Sequence, residues 1–205
     1  MSTTLFLIRH GQTASNLDGY YMGWDDVQLN EVGYTQADQL AKRLASYPIA
    51  VCYSSPLKRA LTTAKIVSHP HGIAPLPMPQ LMEMNYGIWQ GLKKDEVKQK
   101  FPNPWRKSMK FDPDWAYPGG ESYRDVFERS IKVYVEIVAR EEGKLIAVVS
   151  HQTLLKAVIM HILGATYQIL PRIEFGNTSL TIVEIINHEP RLVTMNDMSH
   201  IEHFN

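Results

Sequence analysis

Three short apolar runs, each leading into a segment of helical periodicity, constrain the fold of this chain more than any other feature. The runs at 5–8, 49–53 and 145–149 read as strands. Asn30 can cap a helix whose apolar positions Ala37, Leu40, Ala41 and Leu44 fall at helical spacing. Pro56, suited to an early helical position, precedes a second amphipathic stretch through Leu57, Ala60, Leu61, Ala64 and Val67. Ser122 with Asp125 resembles a capping box opening a helix through Val126, Ile131, Tyr134 and Val138. A helix through Leu154, Leu155, Val158, Ile159 and Ile162 follows the third run, and 179–186 and 191–195 read as closing strands. This alternation predicts an α/β three-layer sandwich with a mostly parallel central sheet flanked by helices.

At 205 residues the chain is expected to form a single domain over 1–205. The pattern breaks from about 68 to 120, a stretch holding most of the prolines and three of the four tryptophans, with one short helix expected around 93–101. An irregular segment of that length reads as an inserted lid of loop and short helix. Tyr20, Tyr21, Trp24, Tyr86, Trp89, Trp105, Trp115 and Tyr117 fall in two irregular segments beside the presumed site. They fit a substrate-pocket lining and an aromatic minicore equally well.

Arg9 and His10 fall at the carboxyl end of the first run, His151 at the carboxyl end of the third, and Arg59 just past the second. Ligands of open α/β sheets bind outside the carboxyl ends of the strands, so these groups converge on one predicted edge. Their chemistry suits phosphoryl transfer without a metal. The planar, permanently charged forks of Arg9 and Arg59 match phosphate oxygens. Nearby arginines favour the neutral form of His10, which can then act as a nucleophile and split one displacement into two. His151 can donate to the same oxygens, and Glu83 is the leading candidate for the acid that protonates the leaving oxygen.

Lys plus Arg and Asp plus Glu each number 21, a balance that argues against a broad basic surface for nucleic acid. Cys52, the only cysteine, lies inside an apolar run and reads as a buried structural thiol. With no internal disulfide possible, a reducing, cytoplasmic setting is the simpler expectation. The N-terminus lacks the basic region of a secretion signal, and the run at 5–8 is far too short to span a membrane. His69 and His71 flank Pro70 without a cysteine or acidic partner at metal-ligand spacing. No partner is evident for His161, His188, His200 or His203, and Asn177-Thr178-Ser179 matches a glycosylation sequon without the setting that would use it. No Gly-rich nucleotide loop is present.

The run Leu7-Ile8-Arg9-His10-Gly11-Gln12-Thr13, followed by Asn16, resembles the signature of the histidine phosphatase superfamily, also called the phosphoglycerate mutase-like family. Tyr53-Ser54-Ser55-Pro56-Leu57-Lys58-Arg59-Ala60, the segment Leu81-Met82-Glu83-Met84-Asn85-Tyr86-Gly87, Val148-Val149-Ser150-His151 and the terminal Asn196-Asp197-Met198-Ser199-His200-Ile201 are similar to its further motifs, in order along nearly the whole chain. The resemblance implies that His10 is the phosphorylated nucleophile, that Arg9, Arg59 and His151 complete the phosphate pocket, and that Glu83 is the proton donor. Gly11, Asn16, Gly23, Tyr86, Lys94 and Gln152 are the expected substrate- or phosphate-binding positions. Gln152 departs from the glycine usual after the second histidine.

The expected activity is a phosphomonoester phosphatase acting on small phosphorylated metabolites, with no metal, cofactor, nucleic acid or membrane, as a monomer or homodimer. A cofactor-dependent phosphoglycerate mutase is the alternative. The chain resembles the compact phosphatases and lacks the mutases' long insertion, whereas Tyr86-Gly87 and Gln90-Gly91-Leu92-Lys93-Lys94 look mutase-like, with Lys94 at a possible carboxylate-binding position. An inactive binding module on the same fold should lack the nucleophile or the clamp, and both are present.

Overall fold

The computed structural model describes residues 2–201. Six strands, β1 (Ser2–Arg9), β2 (Ile49–Ser54), β3 (Leu76–Pro77), β4 (Leu145–Ser150), β5 (Leu180–Ile186) and β6 (Glu189–Asp197), form one sheet in the order β3-β2-β4-β1-β5-β6. β4 pairs parallel to both β1 and β2, and β2 to β3, whereas β5 and β6 add an antiparallel edge. The sheet is thus mostly parallel on the side where the motifs lie.

The run that begins the chain shows why there are three layers. In β1, Leu5 and Leu7 point to one face and Phe6 and Ile8 to the other, and all four are at most 2% exposed. A strand buried on both faces reads as an unbroken apolar run, as parallel strands do. The helices α6 (Tyr123–Arg140) and α7 (Gln152–Ile162) cover the Leu5 and Leu7 face through Val133, Ile137, Leu154 and Val158. The other face is covered by α2 (Glu31–Leu44) and α3 (Lys58–Ser68), through Leu40, Leu44, Ala60, Ala64 and Val67. Truncating a buried leucine such as Leu7 to alanine costs about 2–5 kcal/mol at sites of this kind.

The expected caps are in place. Asn30 Oδ1 accepts from Gly33 N at 2.8 Å, and Ser122 and Asp125 cap α6 reciprocally. Pro56 stands before α3 rather than in its first turn, since Leu57 is the N-cap. Leu57 offers no side-chain acceptor, and Asp26 Oδ1 takes the Lys58 N–H at 2.7 Å instead.

The segment at 68–120 is more ordered than its composition suggests. Besides β3 and the expected α4 (Lys94–Lys100), it forms α5 (Pro102–Ser108) and short 3₁₀ turns, while α1 (Ala14–Asp18) is a further short helix outside it. Its apolar side chains Met84, Trp89, Val97 and Tyr117 build a third core together with Val126 of α6. Trp89, fully buried, meets Tyr21 and Tyr117 edge-on at 5.2 and 5.1 Å. Such edge-to-face pairs are favoured by the ring quadrupoles. No helix among the described residues is long and apolar enough to cross a membrane.

Candidate active site

The strand ladder runs on past the ends of β1, β2 and β4. His10 N donates to Ser150 O at 3.0 Å and Ser55 N to Val149 O at 3.0 Å, so His10, Ser55 and His151 emerge side by side. The His10 ring is held from behind: Nδ1 lies 2.7 Å from Gly11 O. A carbonyl can only accept, so Nδ1 carries the hydrogen and Nε2 keeps its lone pair. Burial first, then the Arg59 and Arg9 charges, hold the His10 pKa well below its ordinary value, and the ring is neutral at physiological pH.

The loop carrying His10 is pinned by residues distant in sequence. Gly11 N donates to Thr63 Oγ1 at 3.0 Å, Asn177 Nδ2 to His10 O at 3.0 Å and Thr178 N to Arg9 O at 3.0 Å. Thr178 adopts φ of 57°, a left-handed conformation that is an outlier for a β-branched residue. Strain of this sort, about 1–3 kcal/mol, persists only where surrounding contacts enforce it. Here Thr178 Oγ1 also meets His200 Nε2 at 3.1 Å, and Arg43 pairs with Asp197 beside it. A Cβ on Gly11 would lie 2.6 Å from Gly33 O, so only glycine lets this loop cross the start of α2.

Arg59 is fully buried. Its two terminal nitrogens donate to Asp25 O and Gly23 O at 2.7 Å each, while Nε has no partner among the described residues. Desolvation lowers its pKa to about 10, which leaves it charged at neutral pH. Arg9 donates to Phe175 O at 2.5 Å, and its Nε is likewise free. Each guanidinium is therefore aimed by backbone carbonyls and retains unspent donors.

His151 is fully buried, with its ring centroid 5.1 Å from that of His10. Its Nε2 lies 2.8 Å from Ser55 Oγ, which already accepts from Leu57 N at 3.3 Å. The serine hydroxyl can donate to Nε2, an arrangement that puts the His151 hydrogen on Nδ1, an atom with no hydrogen-bond partner among the described residues. Burial, followed by the Arg59 charge, keeps its pKa well below the ordinary value.

Glu83 sits at the edge of this group, its carboxylate accepting from Met84 N at 2.8 Å and Thr153 N at 3.3 Å. Arg129 of α6 holds the preceding backbone. Its Nε and Nη2 grip Glu121 at 2.7 and 3.0 Å, and its remaining hydrogens reach the carbonyls of Gln80, Met82 and Glu83 at 3.0, 2.7 and 2.9 Å. All five guanidinium donors are used. Glu121 in turn accepts from Asn85 N at 2.8 Å.

A neutral imidazole with an available Nε2, two aimed guanidinium groups and a nearby carboxylate can take up and release a phosphoryl group. The family model for the histidine phosphatase superfamily (branch 1) matches residues 5–198. The chain belongs to this family.

Phosphoserine phosphatase 1 of Hydrogenobacter thermophilus is 28% identical to this histidine phosphatase over 200 residues, covering 98% of this chain and 95% of that protein. A 2,3-bisphosphoglycerate-dependent phosphoglycerate mutase of Cytophaga hutchinsonii is 35% identical over 167 residues, covering 77% of this chain and 76% of the mutase. Among solved structures, Bacillus stearothermophilus YhfR superposes with a TM-score of 0.90 at 32% identity, covering 98% of this chain and 100% of that one. The mycobacterial glucosyl-3-phosphoglycerate phosphatase does so with a TM-score of 0.85 at 29% identity, over 96% and 99% of the two chains. The six-stranded α/β fold is that of the histidine phosphatases, and the chain is a phosphomonoesterase of this family.

The histidine phosphatase cavity has a volume of about 740 Å³. It is lined by Arg9, His10, Asn16, Gly23, Arg59, Glu83, Tyr86, Lys94 and Gln152. Two expected residues do not line it. His151 stands fully buried beside His10, their ring centroids 5.1 Å apart, and Gly11 donates its N–H to Thr63 Oγ1 while its carbonyl accepts from the His10 ring. Gln152 simply opens α7, with His151 as its extended N-cap, so no left-handed turn there calls for glycine. Tyr86 shares a hydrogen-bond contact of 3.3 Å with Thr153, and the Asn16 side-chain oxygen accepts from Thr13 N at 3.0 Å. The aromatic residues serve both purposes left open by sequence: Tyr21, Tyr86 and Tyr117 pack on Trp89 or on one another and also line the cavity. Thr153, Lys156, Glu174 and Asn177 were not anticipated. For Lys156, its i+4 spacing from Gln152 on α7 was an available signal.

Proposed function

We propose that this histidine phosphatase cleaves small phosphomonoesters by way of a phosphohistidine on His10. Nε2 attacks phosphorus while Arg9 and Arg59 neutralise the phosphoryl oxygens and His151 donates from Nδ1. The P–O bond to the leaving group breaks, and Glu83, entering the cycle as the protonated carboxylic acid, gives its proton to the departing oxygen. Water then attacks the phosphohistidine, Glu83 takes back a proton, and inorganic phosphate leaves. One observation carries this reading above the rest. The His10 Nδ1 is committed to Gly11 O, in a ring kept neutral by burial and by the charges of Arg59 and Arg9, so the lone pair on Nε2 is ready to react.

Substrates in the class of phosphoserine or a glucosyl phosphoglycerate are suggested by the names of the relatives. Phosphoglycerate mutase activity is the second reading, favoured by the mutase relatives and by Lys94 on the cavity wall. Phosphate release from a panel of monoesters, run beside interconversion of 2- and 3-phosphoglycerate with and without 2,3-bisphosphoglycerate, separates the two. Hydrolysis exceeding interconversion, with an acid-labile phosphoprotein trapped in turnover, is expected. The reverse ratio would replace phosphatase by mutase. We further read residues 1–205 as one domain whose segment at about 68–120 walls the cavity, acting in the cytoplasm as a monomer or homodimer. Turnover is expected to survive EDTA, because arginines stand where other phosphatases use metal ions.

A further inference from the structure

Lys156 is not needed for the phosphoryl chemistry, yet it lines the same cavity. It lies four residues after Gln152 on α7, so the two side chains share a helix face. Five residues beyond His151 along a helix correspond to roughly 7 Å of rise. Lys156 thus stands about the length of a three- to six-carbon skeleton from the phosphate end. It is half-buried, and desolvation lowers its pKa. One of its three hydrogens is spent on Leu170 O at 2.9 Å. Glu174, exposed at the rim, and Glu83 act on it at a distance, but among the described residues Lys156 takes part in no ion pair. Withdrawing an ammonium from water costs free energy that a counter-charge offsets. This one keeps two donors beside open cavity.

We propose that Lys156 is a specificity-determining residue that selects phosphomonoesters bearing a second anionic group, a carboxylate or a second phosphate, on the carbon skeleton. The inference rests on the reading of the cavity as a phosphomonoester site. The second anion supplies the counter-charge that the fold withholds, while a neutral skeleton leaves the ammonium desolvated and unpaired. Exposed Lys94 on the opposite wall has no comparable need of a partner.

The test compares pairs of esters that differ only in the extra anion: 3-phosphoglycerate with glycerol 3-phosphate, and fructose 1,6-bisphosphate with fructose 6-phosphate. Lys156→Met should raise KM for the member with the extra anion in at least one pair about tenfold or more, the scale of one charge-assisted hydrogen bond, with kcat little changed. The neutral-skeleton member should move less than about twofold on the same scale. The pair that responds tells carboxylate from phosphate. Lys156→Arg, which keeps the charge, should restore most of the discrimination. Equal losses on both members of each pair, the result of a merely structural tie to Leu170, would overturn the proposal, as would no loss on either. Calorimetric binding of the same four esters to both proteins reads the selectivity without turnover. If p-nitrophenyl phosphate were not hydrolysed while the binding preference remained, the phosphatase reading would fail and the Lys156 assignment would stand.

Discussion

The phosphate end of the cavity and its aromatic wall are held by different kinds of structure. His10 and His151 continue strands of the sheet through backbone hydrogen bonds, and Arg59 is aimed by two carbonyls of a loop that also caps α3. The opposite wall, with Tyr86, Tyr117 and Lys94, comes from the segment at 68–120, which rests on its own aromatic core. That wall joins the phosphate end chiefly at Glu83, whose carbonyl accepts from both Arg129 and Trp24 Nε1, the latter at 2.8 Å. Chemistry is thus fixed by the rigid sheet edge, while the shape and charge offered to the rest of the substrate depend on packing between side chains. Substitutions at the two ends should therefore differ in kind.

At the sheet edge the effects should be near-total. His10→Ala is expected to reduce hydrolysis of p-nitrophenyl phosphate by on the order of 10⁴-fold or more, as loss of a covalent nucleophile does. Its unfolding temperature should hardly move, because the ring supplies chemistry rather than packing. Undiminished turnover, or a phosphoprotein still trapped, would show that the reacting group lies elsewhere. The pH profile probes the same end. The folded-state pKa of both histidines is depressed, so the unfolded chain binds more protons below its ordinary value of 6.5, and stability is lost as pH falls from there toward the folded-state values. The acid limb of kcat/KM, reporting the free enzyme, should accordingly lie well below 6.5. An acid limb at the ordinary histidine value would remove the case for a desolvated, arginine-flanked ring.

Where the two regions meet, the losses should depend on the substrate. Glu83→Gln should cost about 10²–10⁴-fold on alkyl phosphates, whose leaving oxygens need a proton, and far less on p-nitrophenyl phosphate. Equal losses on both would remove the acid role. Arg129→Gln is expected to act in the same direction but more weakly, by about tenfold on alkyl phosphates, with stability lowered by about 1–3 kcal/mol through its lost charged hydrogen bonds. Arg129→Lys should restore little, because an ammonium cannot serve five acceptors in a plane. A uniform loss across substrates would make Arg129 a fold residue with no special bearing on Glu83.

The same division decides what could be read from the sequence. Strand runs, caps and the spacing of Arg9, His10, Arg59 and His151 are local patterns tied to backbone period, and the sheet places them at one edge. Arg129 was passed over because on α6 it resembles any solvated helix arginine, and its partners lie 8 to 49 residues away. His200 lacked an evident partner for the same reason, since Thr178 and Arg43 reach it only through the folded chain, and His203 lies outside the described residues. The close crossing of Gly11 over Gly33 could not be read from the sequence, because the two residues meet only in the folded chain. Beyond its short helix at 93–101, the segment at 68–120 read as irregular because its order comes from aromatic packing, which has no sequence period.

The smallest effect should fall on the aromatic wall itself. Tyr86→Phe removes one hydroxyl, whose 3.3 Å contact with Thr153 is long for an O–H···O bond. Ring packing against Tyr21 and Tyr117, at 5.1 and 4.9 Å, is retained. Stability should change by less than about 1 kcal/mol. Burial raises the phenol pKa well above its ordinary value, so the hydroxyl is neutral across the working range and its loss adds no pH dependence. What remains is a donor on the cavity wall, and the expected result is a KM raised by about two- to tenfold for polyol phosphates, with kcat and p-nitrophenyl phosphate turnover nearly unchanged. A fall in kcat of the size expected for Glu83→Gln would place Tyr86 with the reacting groups and erase the boundary between the two ends of the cavity.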